Sequence, residues 1–127
     1  MLPLRTTLLV NAISSGATGL LLALFPSLAA GIFGVSETVY FVEAGIFLVL
    51  FAAYVLFVAT RNPIKIKSVM IVTTLDLLWV LGSIIVVFLL AGIVTTIGIV
   101  LIIAVAAWVA LMALLQFKGT YAAKAGI

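Results

Sequence analysis

The stretch VMIVTTLDLLWVLGSIIVVFLLA, residues Val69 to Ala91, decides the fold class. Fifteen of its residues are Leu, Ile, Val or Phe, and only Asp76 carries a charge. A helix needs about 20 mostly apolar residues to span the hydrocarbon of a bilayer. Each of these apolar residues favours insertion by about 0.3 to 0.6 kcal/mol, whereas one Asp opposes it by about 2.5 to 3.5 kcal/mol. The segment is therefore predicted to cross a membrane in spite of Asp76.

The composition of the whole chain also indicates that lipid surrounds most of it. Its 127 residues are 68% hydrophobic and only 7% charged. A soluble domain of this length needs a polar surface, because small domains have much surface for their volume. Three Asp/Glu and six Lys/Arg residues cannot supply that surface. We expect a single transmembrane domain over residues 1–127, with the lipid bilayer as its main surroundings and no nucleic acid as a partner.

Three further windows are apolar enough to span a bilayer, and the breaks between the windows have local causes. Pro26 cannot continue the first helix, Asn62 and Pro63 form a stop signal, and Gly92 and Gly119 mark helix ends. The segment between the first two windows is long enough to hold a short interfacial helix. The predicted spans are roughly residues 7–25, 39–59, 69–91 and 96–117.

Positive charges predict the orientation of the spans, because Lys and Arg stay on the cytoplasmic side. The basic residues lie before the first span, between the second and third, and after the fourth: Arg5; Arg61, Lys65 and Lys67; Lys118 and Lys124. The other two connections contain no Lys or Arg. We therefore predict an all-α, antiparallel bundle of four transmembrane helices in the inner or plasma membrane, with both termini in the cytoplasm.

A cleaved signal peptide is the rival interpretation of the first span. Small residues in the sequence PSLAAG, residues 26–31, favour it. However, the span is long for the apolar region of a signal peptide, and Asn11, Ser14 and Ser15 interrupt it. We expect a retained membrane helix.

Small and polar side chains follow one face of this first helix. Helices in hydrocarbon gain little by hiding apolar surface from one another, so such residues mark the faces where helices meet. Two interpretations stay open: close packing with hydroxyl groups bonded to their own helix, or the wall of a polar cavity. The face consists of residues spaced by four, Asn11, Ser15, Gly19 and Ala23.

Asp76 is the strongest candidate for a functional group. A charged side chain inside a span turns toward protein or water, because lipid does not solvate it. Helical spacing puts Thr73 and Ser83 on the same face. At 1.5 Å per residue, Asp76 lies about 10 Å and Asn11 about 6 Å from the cytoplasmic boundary, so these two side chains can meet. The structural alternative is a neutral carboxyl group hydrogen-bonded to Asn11 or Ser83.

Glu43 is the second carboxylate inside a span, about 6 Å from the outer boundary. Across a core about 30 Å thick it lies about 14 Å from Asp76 along the membrane normal. The two carboxylates are too far apart for the acid–base pairs of glycosidases or aspartic proteases. Tyr40 and Phe47 share the helical face of Glu43, and a carboxylate among aromatic rings can bind a lipophilic cation. The alternative is a Glu43 side chain that reaches to the outer surface.

The absence of two residue types limits the chemistry, because the chain contains no Cys and no His. It therefore lacks the commonest zinc and haem ligands, a thiol nucleophile and the usual general base. The lysines lie in connections and tails, so no lysine is placed for a Schiff base within the membrane. We expect no enzyme activity, no metal site and no cofactor.

Three segments carry a resemblance to known proteins: NAISSGATGLLLALFP (11–26), EAGIFLVLFAAYVLFVATR (43–61) and DLLWVLGS (76–83). In these segments, and in size and topology, the chain resembles small, mostly uncharacterised four-helix membrane proteins of bacteria, the DoxX-like group among them. It is also similar in layout to the small multidrug-resistance exporters. Their pattern centres on a Glu in the first helix, where this chain has Asn11, so the resemblance does not imply drug–proton antiport.

Two functional hypotheses follow. In the first, the bundle is non-enzymatic and binds or transports a small or lipophilic solute through a polar cavity between the helices, with a protonatable Asp76; we expect it to oligomerise. In the second, the chain is an accessory or assembly subunit that docks onto a partner membrane protein. The candidate site residues are Asp76, Asn11, Ser15 and Ser83 in the cytoplasmic half, and Glu43 and Tyr40 near the outer mouth.

Overall fold

The computed structural model describes residues 3–124, without the side chains of residues 122–124. The remaining residues of the predicted domain, 1–2 and 125–127, lie outside the described range. Within that range the chain forms five helices and no strand. Four of them are long and apolar enough to cross a membrane, and the short second helix is not. The helices are α1 (Leu4–Leu24), α2 (Pro26–Phe33), α3 (Val39–Thr60), α4 (Ile66–Leu90) and α5 (Thr96–Lys124).

The four long helices coincide with the predicted windows, with three main differences at their ends. Helix α1 begins at Leu4, three residues before its window. Helix α4 begins at Ile66, three residues before its window, and α5 continues through Gly119 to Lys124. Gly119 does not end the helix as predicted. A Cβ atom at this position would lie 2.9 Å from Leu4 Cδ1, so the glycine allows close packing of α1 against α5. A short helix, α2, occupies the segment for which one was predicted.

Helices α1 and α3 form the closest pair, and two glycines set their approach. A Cβ atom on Gly19 would lie 2.8 Å from the carbonyl oxygen of Gly45. One on Gly45 would lie 2.6 Å from the backbone nitrogen of Ala23. Neither position has room for a side chain, because the two backbones touch where small residues face each other.

The bundle consists of two helix pairs, α1 with α3 and α4 with α5. The pairs meet mainly through α1 and α5, whereas α3 and α4 scarcely approach each other. Over the described residues the Cα atoms of α1 and α4 stay more than 8 Å apart. Only side chains that cross the centre of the bundle can therefore join α1 to α4.

One end of the bundle gathers the basic residues, and we call it the basic end. Arg5 donates from Nη1 to the carbonyl oxygen of Ala59 at 2.6 Å, which joins the start of α1 to the end of α3. Behind this contact lies a layer of fully buried side chains from α1, α3 and α4, which we call the apolar plug. Its members are Leu8, Val55, Val58, Val69 and Val72.

At the opposite end, α2 is bonded to the start of α5. Thr95 donates from its hydroxyl group to the carbonyl oxygen of Ile32 at 2.7 Å. The Thr95 hydroxyl oxygen, Oγ1, in turn accepts the Gly98 N–H at 3.1 Å as a helix cap. Gly34 ends α2 with φ of 74°, a left-handed conformation that glycine adopts without strain. These bonds close the end of the bundle opposite the basic end.

Candidate functional site

Side chains from α1, α4 and α5 meet in the middle of the bundle around Asp76. The Asp76 side chain is 2% exposed, and Asn11 and Gln116, which contact it, are 1% and 0% exposed. Asp76 lies near the middle of α4, because this helix starts earlier than its predicted window. We call this cluster the polar centre; it consists of Asn11, Ser15, Thr73, Asp76 and Gln116.

Two amide groups hold one oxygen of the Asp76 carboxyl group. Asn11 donates from Nδ2 to Asp76 Oδ2 at 2.9 Å, and Gln116 donates from Nε2 to the same oxygen at 3.0 Å. Asn11 Nδ2 also donates to Gln116 Oε1 at 2.8 Å, so the two amides are bonded to each other. These three side chains therefore form a closed ring of hydrogen bonds between α1, α4 and α5.

Two hydroxyl groups fix the orientation of the amides. Ser15 donates from Oγ to Asn11 Oδ1 at 3.1 Å, and this bond leaves both Asn11 N–H groups pointing at the ring. Thr73 Oγ1 accepts the second N–H of Gln116 at 3.1 Å. All four amide hydrogens of Asn11 and Gln116 are therefore used, and two of them end on Asp76 Oδ2.

The second oxygen of Asp76 is different from the first. Oδ1 accepts no hydrogen bond from the residues that the structure describes. No Lys or Arg of residues 3–121 forms an ion pair with this carboxyl group, since the basic side chains lie at the basic end. One oxygen is thus held by the protein, and the other is left for a proton or a ligand.

A small cavity adjoins the carboxyl group on the side of α3. It measures about 10 Å³ and is lined by Ser15, Asp76, Phe47, Phe51 and Trp79 among others. This is close to the smallest volume that holds one water molecule. The site therefore has room for a larger solute only if its walls move.

Aromatic rings form the wall of this cavity between α3 and α4. Phe47 stacks on Trp79 with ring centroids 6.0 Å apart and planes 3° apart, and on Phe51 at 6.1 Å and 14°. The indole N–H of Trp79 is buried and has no hydrogen-bond partner in the described part of the chain. Phe47 is 44% exposed on the outer surface, although it also lines the cavity.

The structure brings together three of the six predicted site residues, Asp76, Asn11 and Ser15. Ser83 donates instead to the carbonyl oxygen of Trp79, which lies one turn earlier in the same helix. Glu43 and Tyr40 are exposed on the surface of α3 and contact none of the polar centre.

Two members of the polar centre were not among the site residues predicted from the sequence. Gln116 lies near the end of the predicted fourth span and drew no functional hypothesis, and Thr73 was noted only as a neighbour of Asp76 on its helical face. A signal for Gln116 exists in the spacing of small residues, since Ala106, Ala113 and Gln116 share the buried face of α5. Trp108 lies outside the cluster and donates its indole N–H to Ser14 Oγ at 3.0 Å.

Comparisons with known proteins add no constraint on the site. No family model matches the chain, and no curated protein and no solved structure matches it either. The resemblance to DoxX-like proteins is thus limited to a small chain with four long apolar helices. Within the described residues, no three His, Cys, Asp or Glu side chains come together in a way that holds a metal ion.

Proposed function

We propose that this chain is a non-enzymatic, multi-pass protein of the inner or plasma membrane. Its four long helices form an antiparallel bundle with both termini in the cytoplasm. Support comes from the apolar length of these helices and from the position of Arg5, Arg61 and Lys65 at one end of the molecule. A bundle inserted in this way keeps its basic residues on the cytoplasmic side.

Within this membrane bundle, Asp76 binds a small solute, and a proton occupies the same carboxyl group when the solute is absent. The observation that carries this proposal is a buried carboxyl group whose Oδ1 has neither a hydrogen-bond partner nor a cation among the described residues. A charge in hydrocarbon is expensive unless it is paired or neutralised. A buried polar atom without a hydrogen bond is uncommon, so the free Oδ1 calls for an explanation, such as a proton or a ligand.

Each neighbour of Asp76 has a defined part in this function. Asn11 and Gln116 hold Oδ2 and thereby fix the rotation of the carboxyl group. Oδ1 then points to a constant position, where it exchanges a proton for a donor group of the solute. Ser15 positions the Asn11 amide. A solute that leaves on one side and is replaced by a proton would be transported, with Asp76 as the coupling group.

The proposal is tested by ligand stabilisation of the protein in lipid nanodiscs. Three probes share one alkyl chain and differ in charge: dodecylamine, dodecanoate and dodecanol. We expect one of them to raise the melting temperature saturably, because a ligand that binds only the folded state stabilises it. Asp76→Asn should abolish the rise, and Glu43→Gln, which changes an exposed carboxylate, should keep it. A rise that is equal in the wild type and in Asp76→Asn, or no rise with any probe, contradicts the proposal.

A second candidate function, the accessory subunit, is favoured by a groove on the opposite side of the bundle. The groove between α1 and α3 measures about 270 Å³, and its floor is made of small residues. Such surfaces accept a further transmembrane helix, from a second copy or from another membrane protein. The small residues are Ala12, Gly16, Ala52 and Ala53. Purification in mild detergent tests this role: a stoichiometric partner that is lost in Ala53→Leu supports it, and a monomer without a partner contradicts it.

A further inference from the structure

We infer that the solute at Asp76 is a lipophilic amine that reaches the carboxyl group from the bilayer, through a portal between α3 and α4. This inference rests on the proposed binding role of Asp76 and adds a route and a ligand class to it. The portal is the gap between the two helices that the rings of Phe47 and Trp79 fill.

Access along the bundle axis is blocked on the side of the basic end. The apolar plug lies between this end and Asp76, and its side chains, such as Leu8, Val69 and Val72, have no exposed surface. A water-soluble solute would have to pass this layer after losing its hydration. Such a transfer is unfavourable for a polar group when no new hydrogen bond replaces the water.

Access from the side has a much thinner barrier. Helices α3 and α4 approach each other least among the neighbouring helices, so their backbones leave a gap. Of the two rings that fill this gap, Phe47 reaches from the surface of the bundle to the cavity: it is 44% exposed, and it also lines the Asp76 cavity. Side chains on a surface change rotamer within nanoseconds. A swing of the Phe47 ring away from Trp79 would join the cavity to the hydrocarbon of the membrane.

The chemistry around the cavity selects the ligand. Asp76 Oδ1 offers an acceptor with negative charge, and no Lys or Arg of the described residues competes for it. The rings of Phe47, Phe51 and Trp79 border the same cavity, and aromatic rings attract cations. An amine satisfies both features. It enters uncharged and takes the proton from Asp76, and the resulting ammonium group donates N–H to the carboxylate while its alkyl chain stays in the portal among apolar groups. An anion would meet the carboxylate without any compensating charge.

The route is tested by quenching of Trp79 fluorescence in nanodiscs, without any ligand. The chain has two tryptophans, so Trp108→Phe leaves Trp79 alone. Lipids with brominated acyl chains quench from the hydrocarbon, and acrylamide quenches from water. In this background, Phe47→Ala should increase quenching by the brominated lipids and leave quenching by acrylamide unchanged. The matched control is Phe88→Ala, which removes an 81% exposed ring of α4 and should change neither.

Two results would contradict the portal: brominated lipids that quench equally in Phe47→Ala and Phe88→Ala, or acrylamide quenching that rises in Phe47→Ala. Trp108 donates a hydrogen bond to Ser14, so Trp108→Phe can lower stability. If that variant does not fold, the same pair of Phe variants is compared with Trp108 retained, because Trp108 lies on α5 and adds the same signal to both.

The ligand class is tested on the same Trp79 emission with three probes. Dodecylamine should shift the emission saturably in the wild type and not in Asp76→Asn. Dodecyltrimethylammonium, which has no N–H donor, and dodecanol, which has no charge, should bind more weakly. Equal responses to all three probes contradict the inference that the ligand is an amine. If binding depends on Asp76 but Phe47→Ala leaves quenching unchanged, the portal alone is contradicted. If the response to every probe is the same in the wild type and in Asp76→Asn, the proposed function itself is contradicted.

Discussion

At the residue scale, the two oxygens of Asp76 have different surroundings. Oδ2 accepts two amide N–H groups from different helices, and these bonds hold the carboxyl group in place. Oδ1 accepts no hydrogen bond from the described residues, and Asp76 lines a small cavity that is bordered by aromatic rings. Asp76 thus joins α4 to α1 and α5 through Oδ2, and its Oδ1 is left for the proposed ligand or proton. Structure and proposed function depend on different atoms of one side chain.

The contribution of the polar centre to stability can be measured with two adjacent threonines. Thr73 accepts the N–H of Gln116, whereas Thr74 is exposed and donates only to Met70 of its own helix. Hydrogen bonds between membrane helices contribute about 0.6 to 1.7 kcal/mol. We expect Thr73→Val to lower the free energy of unfolding by about 1 kcal/mol. Thr74→Val should leave it within about 0.5 kcal/mol of the wild type. Unfolding in mixed micelles measures both, and equal losses would contradict a special role for Thr73.

Part of this centre could be predicted from the sequence. The contact of Asn11 with Asp76 follows from their depths in two spans that both begin on one side, and the structure confirms it. Gln116 was missed because the predicted fourth span ended at residue 117, which put Gln116 at the membrane boundary. Helix α5 in fact continues to Lys124, so Gln116 lies two turns inside it. An error in a helix end thus became an error in the site.

At the element scale, the bundle combines one close helix pair with one open side. Helices α1 and α3 touch backbone to backbone at Gly19 and Gly45, whereas α3 and α4 are separated by aromatic rings. The close contact fixes α3 relative to α1. The proposed portal lies on the side where α3 and α4 are separated, away from this close contact.

The close contact gives a prediction with an internal control. A Cβ atom on Gly45 would lie 2.7 Å from the carbonyl oxygen of Gly19, and backbone atoms cannot move aside as a side chain does. Gly45→Ala should therefore lower the free energy of unfolding by about 1–3 kcal/mol, as overpacking usually does. Gly82→Ala meets no atom within 4 Å and should raise helix stability slightly. Thermal unfolding in detergent compares them, and a Gly45→Ala variant as stable as Gly82→Ala would refute the close contact.

The elements differ in how well the sequence predicted them. The four long helices follow from apolar runs that end at Pro26, Pro63 and Gly92, and their existence was predicted correctly. The separation of α3 from α4 was not predicted, because the residues that face each other across these two helices are mostly apolar or aromatic and do not differ from lipid-facing residues. Contacts across lipid-facing apolar surfaces leave little signal in one sequence, since hydrocarbon and Leu are equally apolar.

At the scale of the whole molecule, the described basic side chains and the apolar helices give a simple account of insertion. Residues such as Arg5 and Lys118 are placed at the end where α1 meets the last turns of α5. The opposite end is closed by α2. The connections at this end contain one charged residue, Glu37, and no Lys or Arg. We expect this asymmetry to orient the protein, with the basic end in the cytoplasm.

The orientation is tested with single cysteines, because the chain has none of its own. Ser36→Cys lies in the connection after α2, and Lys65→Cys lies at the start of α4. A membrane-impermeant maleimide should label Ser36→Cys in intact cells and Lys65→Cys only after the membrane is permeabilised. Labelling of Lys65→Cys in intact cells, with Ser36→Cys protected, would show the inverse orientation.

We propose that Asp76 exchanges a proton for a ligand from the bilayer, and the carboxyl group of Asp76 can be observed directly. Infrared difference spectra of the protein in nanodiscs, with Asp76→Asn as the reference, isolate the band of this group. On addition of dodecylamine, we predict that a protonated carboxyl band disappears and a carboxylate band appears, saturably, in the wild type only. A carboxyl band that is unchanged by dodecylamine would contradict this exchange and show that the polar centre only holds the helices together.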